Sequence, residues 1–303
     1  MSEYQYYEFR AIDRSLSESE MSALRALSTR ATITPHEFVN VYNYGDFRGD
    51  PLELMRKYFD AFVYVANWGT YQLMLRLPRR LLPLETVEQY CTSEFAAVHE
   101  SGDDLILEFL YYDEAGDDVD KHLGWITDEE AEGWLPGLLP LRDELAGGDL
   151  RCLYLGWLLS AQCEMLDDDA VEPLVPPGLG SLTKAQQAFV EFFWLDEPLI
   201  EVAAERSAAL DASGLSRDQL EGWIRRLPEA EKDSLLLRLA AGDDPHLRAE
   251  LLQQFQRSLP GGGKQTMMRS DGQRTVGQLL SAAEERAEVK RREEAGRREH
   301  RHG

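Results

Sequence analysis

The chain has 303 residues, of which 43 % are hydrophobic and 29 % charged, and its 55 Asp and Glu against 32 Lys and Arg give a formal net charge of −23. A chain with this share of hydrophobic residues can bury a core, so general disorder is excluded. Its negative charge makes it unsuited to binding duplex DNA, because binding requires cations against the phosphates. The charge is uneven, because residues 261–303 carry +3 and residues 1–260 carry −26.

Elements of both types alternate over residues 1–125. Aromatic residues at positions 4–12 predict a strand. Ser17 and Glu20 have the spacing of a capping box, and Leu16 and Met21 that of a hydrophobic staple, so a helix is expected to begin at Ser17. Further strands are predicted over residues 33–44, 62–66, 71–77 and 105–112, with a short helix opening at Asp50 and Pro51.

From about residue 127 the apolar residues recur with the 3.6-residue period of helices. Ser216 and Gln219 form a second capping box, Pro228 opens the next helix, and Asp244 is predicted as an N-cap with Pro245 at the first helical position. Helices are expected over residues 150–161, 182–194, 220–227, 228 onward and 244 onward. Residues 126–259 are therefore predicted to form an all-α helical domain.

The C-terminal part differs in composition. Three consecutive glycines predict a linker over residues 260–274, because glycine is costly inside regular elements. Residues 275–303 predict a charged helical tail, in which Glu288 and Arg292 form one of several i,i+4 pairs. The whole pattern predicts an α+β fold: a small mixed or antiparallel sheet domain at residues 1–125, then the helical array and the tail.

Several segments resemble a widespread family of uncharacterised bacterial proteins. They are residues 4–13 (YQYYEFRAID), the ANWG motif at residues 66–69, residues 148–157 and residues 176–182 (PPGLGSL). The resemblance covers essentially the whole chain. It implies a bacterial cytosolic protein and assigns no activity, cofactor or catalytic residue.

The compartment and chemistry follow from what the sequence contains. The three cysteines, Cys91, Cys152 and Cys163, have no CxxC or zinc-type spacing, and no segment has the pattern of a signal peptide or the length of a membrane span. We therefore expect a cytoplasmic protein without a membrane partner. The acidic segments 113–120 and 164–172 are predicted to be solvated loops. No P-loop, GxGxxG, GxSxG or HExxH motif is present, and we predict no catalytic, cofactor or metal residue.

Partner binding is the function that these features favour. Tyr44, Trp68 at a hairpin turn, Arg79 and Arg80 are candidate contact residues of the first domain, because exposed aromatic and arginine side chains are common at interfaces. Lys290, Arg291 and Arg292 are the candidates in the tail. The leading hypothesis is a protein–protein interaction or adaptor module that binds another protein or self-associates through the tail.

Two alternatives remain open at the level of sequence. One is an enzyme with carboxylates at an inter-domain site. The other is an acidic mimic of nucleic acid that binds basic partners. The opposite charges of body and tail also lead us to expect that the tail can rest on its own protein, through contacts that salt weakens.

Overall fold

The computed structural model describes residues 4–45, 47–112, 128–210, 217–242, 244–259 and 273–302. Seven strands form one sheet in the order β2-β3-β1-β4-β5-β7-β6, and every strand pair is antiparallel. The strands are β1 (Gln5–Arg10), β2 (Thr32–Thr34), β3 (Glu37–Tyr42), β4 (Ala61–Ala66), β5 (Thr70–Pro78), β6 (Ala96–Ser101) and β7 (Asp104–Tyr111). A run of helices follows, so the predicted α+β class is confirmed.

Local signals in the sequence explain several element boundaries. The helix α1 (Glu18–Leu27) begins at the N-cap Ser17, and both hydrogen bonds of the predicted capping box with Glu20 are present. The hairpin between β4 and β5 turns at Gly69, whose φ of 91° lies in the left-handed region that favours glycine. The short helix α2 (Pro51–Lys57) begins at Asp50, as predicted.

One face of the sheet carries an aromatic core beneath α1 and α2. Phe9 of β1 stands opposite Phe38 of β3 and Phe62 of β4, and its ring stacks on that of Phe62 at a centroid separation of 4.2 Å. Met74 of β5 and Leu24 of α1 complete this core. This core therefore joins four strands of the sheet, β1, β3, β4 and β5, to the two helices α1 and α2.

The opposite face packs against the helices that follow the sheet. Leu73, Leu75 and Leu77 of β5 point into this second core, which confirms their predicted separation from Met74. The central helix α6 is buried over every residue from Arg151 to Ala161, because it lies between the sheet and other helices. Its Gly156 leaves no room for a Cβ beside the Phe109 ring of β7. Residues of the sheet and of the helices after it thus belong to one shared core.

The helices complete the element list. They are α3 (Leu84–Val87), α4 (Asp128–Leu138), α5 (Pro140–Ala146), α6 (Arg151–Gln162), α7 (Lys184–Phe192), α8 (Glu197–Ala204), α9 (Arg217–Arg226), α10 (Glu229–Ala241), α11 (Leu247–Ser258) and α12 (Val276–His302). None of the helices in the described ranges is both long and apolar enough to cross a membrane.

The structure differs from the predicted elements at several places. The predicted strand 33–44 is a hairpin of β2 and β3, and the sequence predicted no strand at β6 and no individual helix at α3, α4, α5 or α8. The helix expected to start at Asp244 begins at Leu247 with His246 as N-cap; Asp244 instead accepts a 3.0 Å hydrogen bond from the His246 backbone N–H. The predicted cap Ser216, the acidic segment 113–120 and residues 260–272 of the predicted linker lie outside the described residues.

Candidate interaction surface

The helices α9, α10 and α11 form a group that is attached to the body mainly through α11. Phe255 of α11 packs against Trp223 of α9, with ring centroids 5.6 Å apart. The buried amide of Gln253 donates hydrogen bonds to the backbone oxygens of Leu81 and Ala146, at 2.9 and 2.7 Å. These contacts fix α11 on the turn after β5 and on α5, so α9 and α10 are held indirectly.

A buried ion pair at the start of α11 strengthens this attachment. Asp13 Oδ2 lies 2.5 Å from Arg142 Nη2 of α5 and 2.9 Å from His246 Nε2. Burial alone would raise the pKa of Asp13, but the hydrogen bonds from His246 and Arg142 outweigh it and lower that pKa to about 2. One carboxylate therefore joins the end of β1, α5 and the N-cap of α11.

A second polar group lies beside the first and holds α10. Arg238 of α10 pairs with Asp244 and with Glu250 of α11, and the Arg238 Nη2–Glu250 Oε2 distance is 2.6 Å. Arg80 Nη2 lies 3.1 Å from Asp244 Oδ1. The predicted partner residue Arg80 is thus committed to an ion pair that links the end of β5 to the α10–α11 loop.

The face of α10 away from these contacts is apolar and exposed. Leu236, Leu237 and Leu239 are 62 %, 71 % and 68 % exposed, and no residue of α10 is buried. Ile224 of α9 is another exposed apolar residue of the same helical group. Single exposed apolar residues are normal on soluble proteins, whereas three leucines within one helical turn form a patch of the kind that marks a binding surface. The sequence analysis missed this patch; its signal was the Leu-Leu-Leu-Arg-Leu run.

The four residues that the sequence predicts as partner contacts in the first domain lie at two separate ends of the sheet. Tyr44 and Trp68, which are 76 % and 47 % exposed, follow β3 and β4 at the end of the sheet where β1 begins. Arg79 and Arg80 follow β5 at its other end, roughly 30 Å away for a nine-residue strand. Trp68 and these arginines therefore lie at opposite ends of β5, because Trp68 precedes the first residue of the strand and Arg79 follows its last. Arg79 pairs with Glu100 at 2.6 Å.

The tail candidates lie on α12, which packs along α8. Lys290 Nζ is 2.6 Å from Glu201 Oε1 and 3.5 Å from Glu197 Oε2 of α8, and Arg286 pairs with Glu205. These pairs agree with the expectation that the tail rests on its own body. Arg291 and Arg292 are exposed on the same helix, and Arg292 pairs with Glu288 at 2.5 Å, as the i,i+4 spacing predicts.

The root of α12 is anchored by a buried ion pair. Arg274, which the sequence analysis placed within the linker, donates two hydrogen bonds to Glu172, at 2.9 Å from Nε and 2.5 Å from Nη2. Tyr154 Oη of α6 donates a 2.5 Å hydrogen bond to the same carboxylate. Burial, together with Glu172, raises the pKa of Tyr154 well above its usual value. Val276 and Leu279 then bury fully against the body.

Carboxylates do meet near the junction of sheet and helices, where the enzyme alternative would place a site. Arg76 Nη2 lies 2.5 Å from the buried Asp60, whose other oxygen accepts hydrogen bonds from the Ile12 and Asp13 backbone N–H groups. Burial raises the pKa of Asp104, 3.7 Å from Arg76. These ion pairs hold chain segments together, and among the described residues no cluster of His, Cys, Asp or Glu could hold a metal ion.

Comparisons of the chain with protein-family models, curated proteins and solved structures gave no match. The resemblance to a bacterial family stays a prediction.

Proposed function

We propose that the protein is a protein–protein interaction module whose partner docks on the exposed leucine face of α10. The observation that carries this proposal is the exposure of Leu236, Leu237 and Leu239 on a helix without a buried residue. Together they expose the surface of roughly two leucine side chains. Covering it corresponds to about 3–6 kcal/mol of hydrophobic transfer free energy.

The attachment of α10 suits it to present this face. Arg238 fixes the opposite side of the helix to Asp244 and Glu250, and Asp244 is in turn tied to Arg80. Because the binding face is held by contacts on its back, a partner need not order the helix first, which reduces the entropic cost of association. An amphipathic helix that lays its apolar stripe along α10 would match this surface.

The other residues predicted to bind a partner are not needed for docking on α10. Tyr44 and Trp68 are exposed at the end of the sheet where β1 begins. Self-association through Lys290, Arg291 and Arg292 would compete with the existing pairs of α12. We place the protein in the bacterial cytoplasm, a setting in which its three unpaired cysteines stay reduced.

The test replaces the three leucines by glutamine, which keeps helix propensity and length while removing the apolar surface. Partners of the full chain are captured by in-cell cross-linking, and the affinity of each purified partner is then measured. We expect cross-links to α10 and a Kd about 100-fold higher for the triple variant, from a loss of about 3 kcal/mol.

The matched control is Val289→Gln, which changes an exposed apolar residue on α12. It should leave the Kd unchanged, and neither variant should shift the unfolding temperature strongly, since the substituted side chains are exposed. A partner that binds the triple variant as tightly as the natural chain would show that the α10 face is not its docking site.

A further inference from the structure

The C-terminal part of α12 extends past the start of α8. Lys290 pairs with Glu197, which is the first residue of α8. Among the described side chains, none after Lys290 forms a hydrogen bond or an ion pair with another element, and Arg292 pairs with Glu288 of its own helix. The helix nevertheless continues through residues 291–302.

This extension is polar on all sides and short. Its described side chains Arg291, Arg292 and Glu293 are exposed, and so is Val289, at 51 %. A single helix below about 12–15 residues is only marginally stable in water. A helix that is polar all round is therefore typically stabilised by ion pairs or by a bridge to another element. The described part of the chain offers the extension no such bridge.

The charges of α12 are antisymmetric about the midpoint between Arg292 and Glu293. Residues of opposite charge stand at equal distances on the two sides of this midpoint: Arg292 with Glu293, Arg291 with Glu294, Glu288 with Arg297, Arg286 with Glu299, and Glu284 with Arg301. Over residues 284–301 no two residues of like charge stand at equivalent positions.

This pattern is complementary to a second copy of the same helix. In an antiparallel pair with a two-fold axis at the midpoint, residues at equal distances from it lie at the same height, so each listed charge is level with its opposite. Parallel pairing would place every charge beside its like. Sliding one helix by one residue would place Arg292 or Glu293 beside its own copy. The charges therefore select both the orientation and the register, as they do in coiled coils.

The side of α12 that carries Val289 is open to such a copy. The buried side of the helix, which faces the body, carries Leu279 and Ala283. Successive residues of a helix turn by about 100°, so Val289 points about 120° away from Ala283. A copy on this side leaves the pair between Lys290 and Glu201 in place.

We propose that α12 pairs antiparallel with α12 of a second copy of this chain, about a two-fold axis between Arg292 and Glu293. The intramolecular pair of Arg292 with Glu288 is exchanged for pairs between the two copies. Because exposed ion pairs contribute little each, the dimer is weak, with a Kd of about 0.1–1 mM. The surface is separate from the α10 face, so the two proposals fail separately.

Charge reversal on the two sides of the axis tests this pairing in the full-length protein. One variant carries Arg291→Glu and Arg292→Glu, and the other carries Glu293→Arg and Glu294→Arg. Each variant alone places like charges level with each other, whereas a mixed dimer restores opposite charges at all four heights. The mixed dimer carries the same total charge as the natural dimer, because the two double substitutions change the net charge by −4 and +4.

Sedimentation velocity over a concentration series to about 1 mM measures the association. We expect the natural chain to dimerise, each variant alone to associate at least about ten-fold more weakly, and an equimolar mixture to associate at least as tightly as the natural chain. Circular dichroism checks that both variants keep their helix content. The triple glutamine variant of α10 is the control and should dimerise like the natural chain. A monomeric natural chain, a variant that self-associates like the natural chain, or a mixture that stays monomeric would each overturn the proposal.

Discussion

Replacing Arg274 by alanine removes one half of the buried ion pair at the root of α12. Glu172 then keeps the hydrogen bond from Tyr154 and a long contact of 3.8 Å to Arg206. Breaking a buried pair in this way typically costs about 3–5 kcal/mol, because the remaining charge loses its main counter-ion. Both partners are more than nine-tenths buried, so little of this cost is relieved by solvent.

The protein can avoid part of this cost by releasing α12. Docking of the helix buries Val276 and Leu279 completely, which contributes about 3–6 kcal/mol. The pairs of Arg286 and Lys290 are exposed to solvent and add little to this. The cost of leaving Glu172 buried without Arg274 and the free energy gained by docking α12 are similar in size. We therefore expect Arg274→Ala to shift α12 substantially towards a detached state while the sheet stays folded.

Hydrogen exchange measured by mass spectrometry distinguishes these outcomes. Amides of residues 276–290 should lose most of their protection in Arg274→Ala, whereas those of β1 and β4 should keep theirs. The double variant with Glu172→Gln and Arg274→Met removes both charges and should recover much of the protection. Unchanged exchange of α12 in Arg274→Ala would refute the reasoning, since the ion pair would then contribute nothing to docking.

Two further predictions concern stability. The pKa of Asp13 is lowered from its usual 3.8 to about 2, so the stability that its ionised carboxylate contributes is present above about pH 4 and is lost as the pH falls from about 4 to 2. Asp13→Asn should therefore lower the free energy of unfolding by about 2 kcal/mol at pH 7. It should also flatten the acid side of the curve of stability against pH, measured by urea unfolding. Gly156→Ala should destabilise the protein by about 1–3 kcal/mol in thermal unfolding, because the new Cβ overlaps the Phe109 ring. Gly133→Ala, at an open position of α4, is the control and should be neutral or stabilising. Equal effects of the two substitutions would contradict the packing argument.

The sequence predicted well those features that a few neighbouring residues decide. The capping box of Ser17 with Glu20 and the turn at Gly69 depend on hydrogen bonds and dihedral angles within four residues, and the structure confirms both. The two faces of β5 follow in the same way from the alternation of side chains along a strand. The helix start at Asp244 was wrong because that carboxylate caps a turn before the helix and pairs with Arg80 and Arg238.

By itself, then, the sequence determined the α+β class, the main caps and turns, and the opposite charges of body and tail. Only the tertiary structure decided which apolar faces find a partner: α6 is buried all round, whereas the leucines of α10 stay exposed. It also decided that Trp68 and Arg79 lie at opposite ends of β5 and that Arg274 is an anchor. The reason is physical, since caps and turns form within one stretch of chain while burial and ion pairing depend on residues that are distant in sequence.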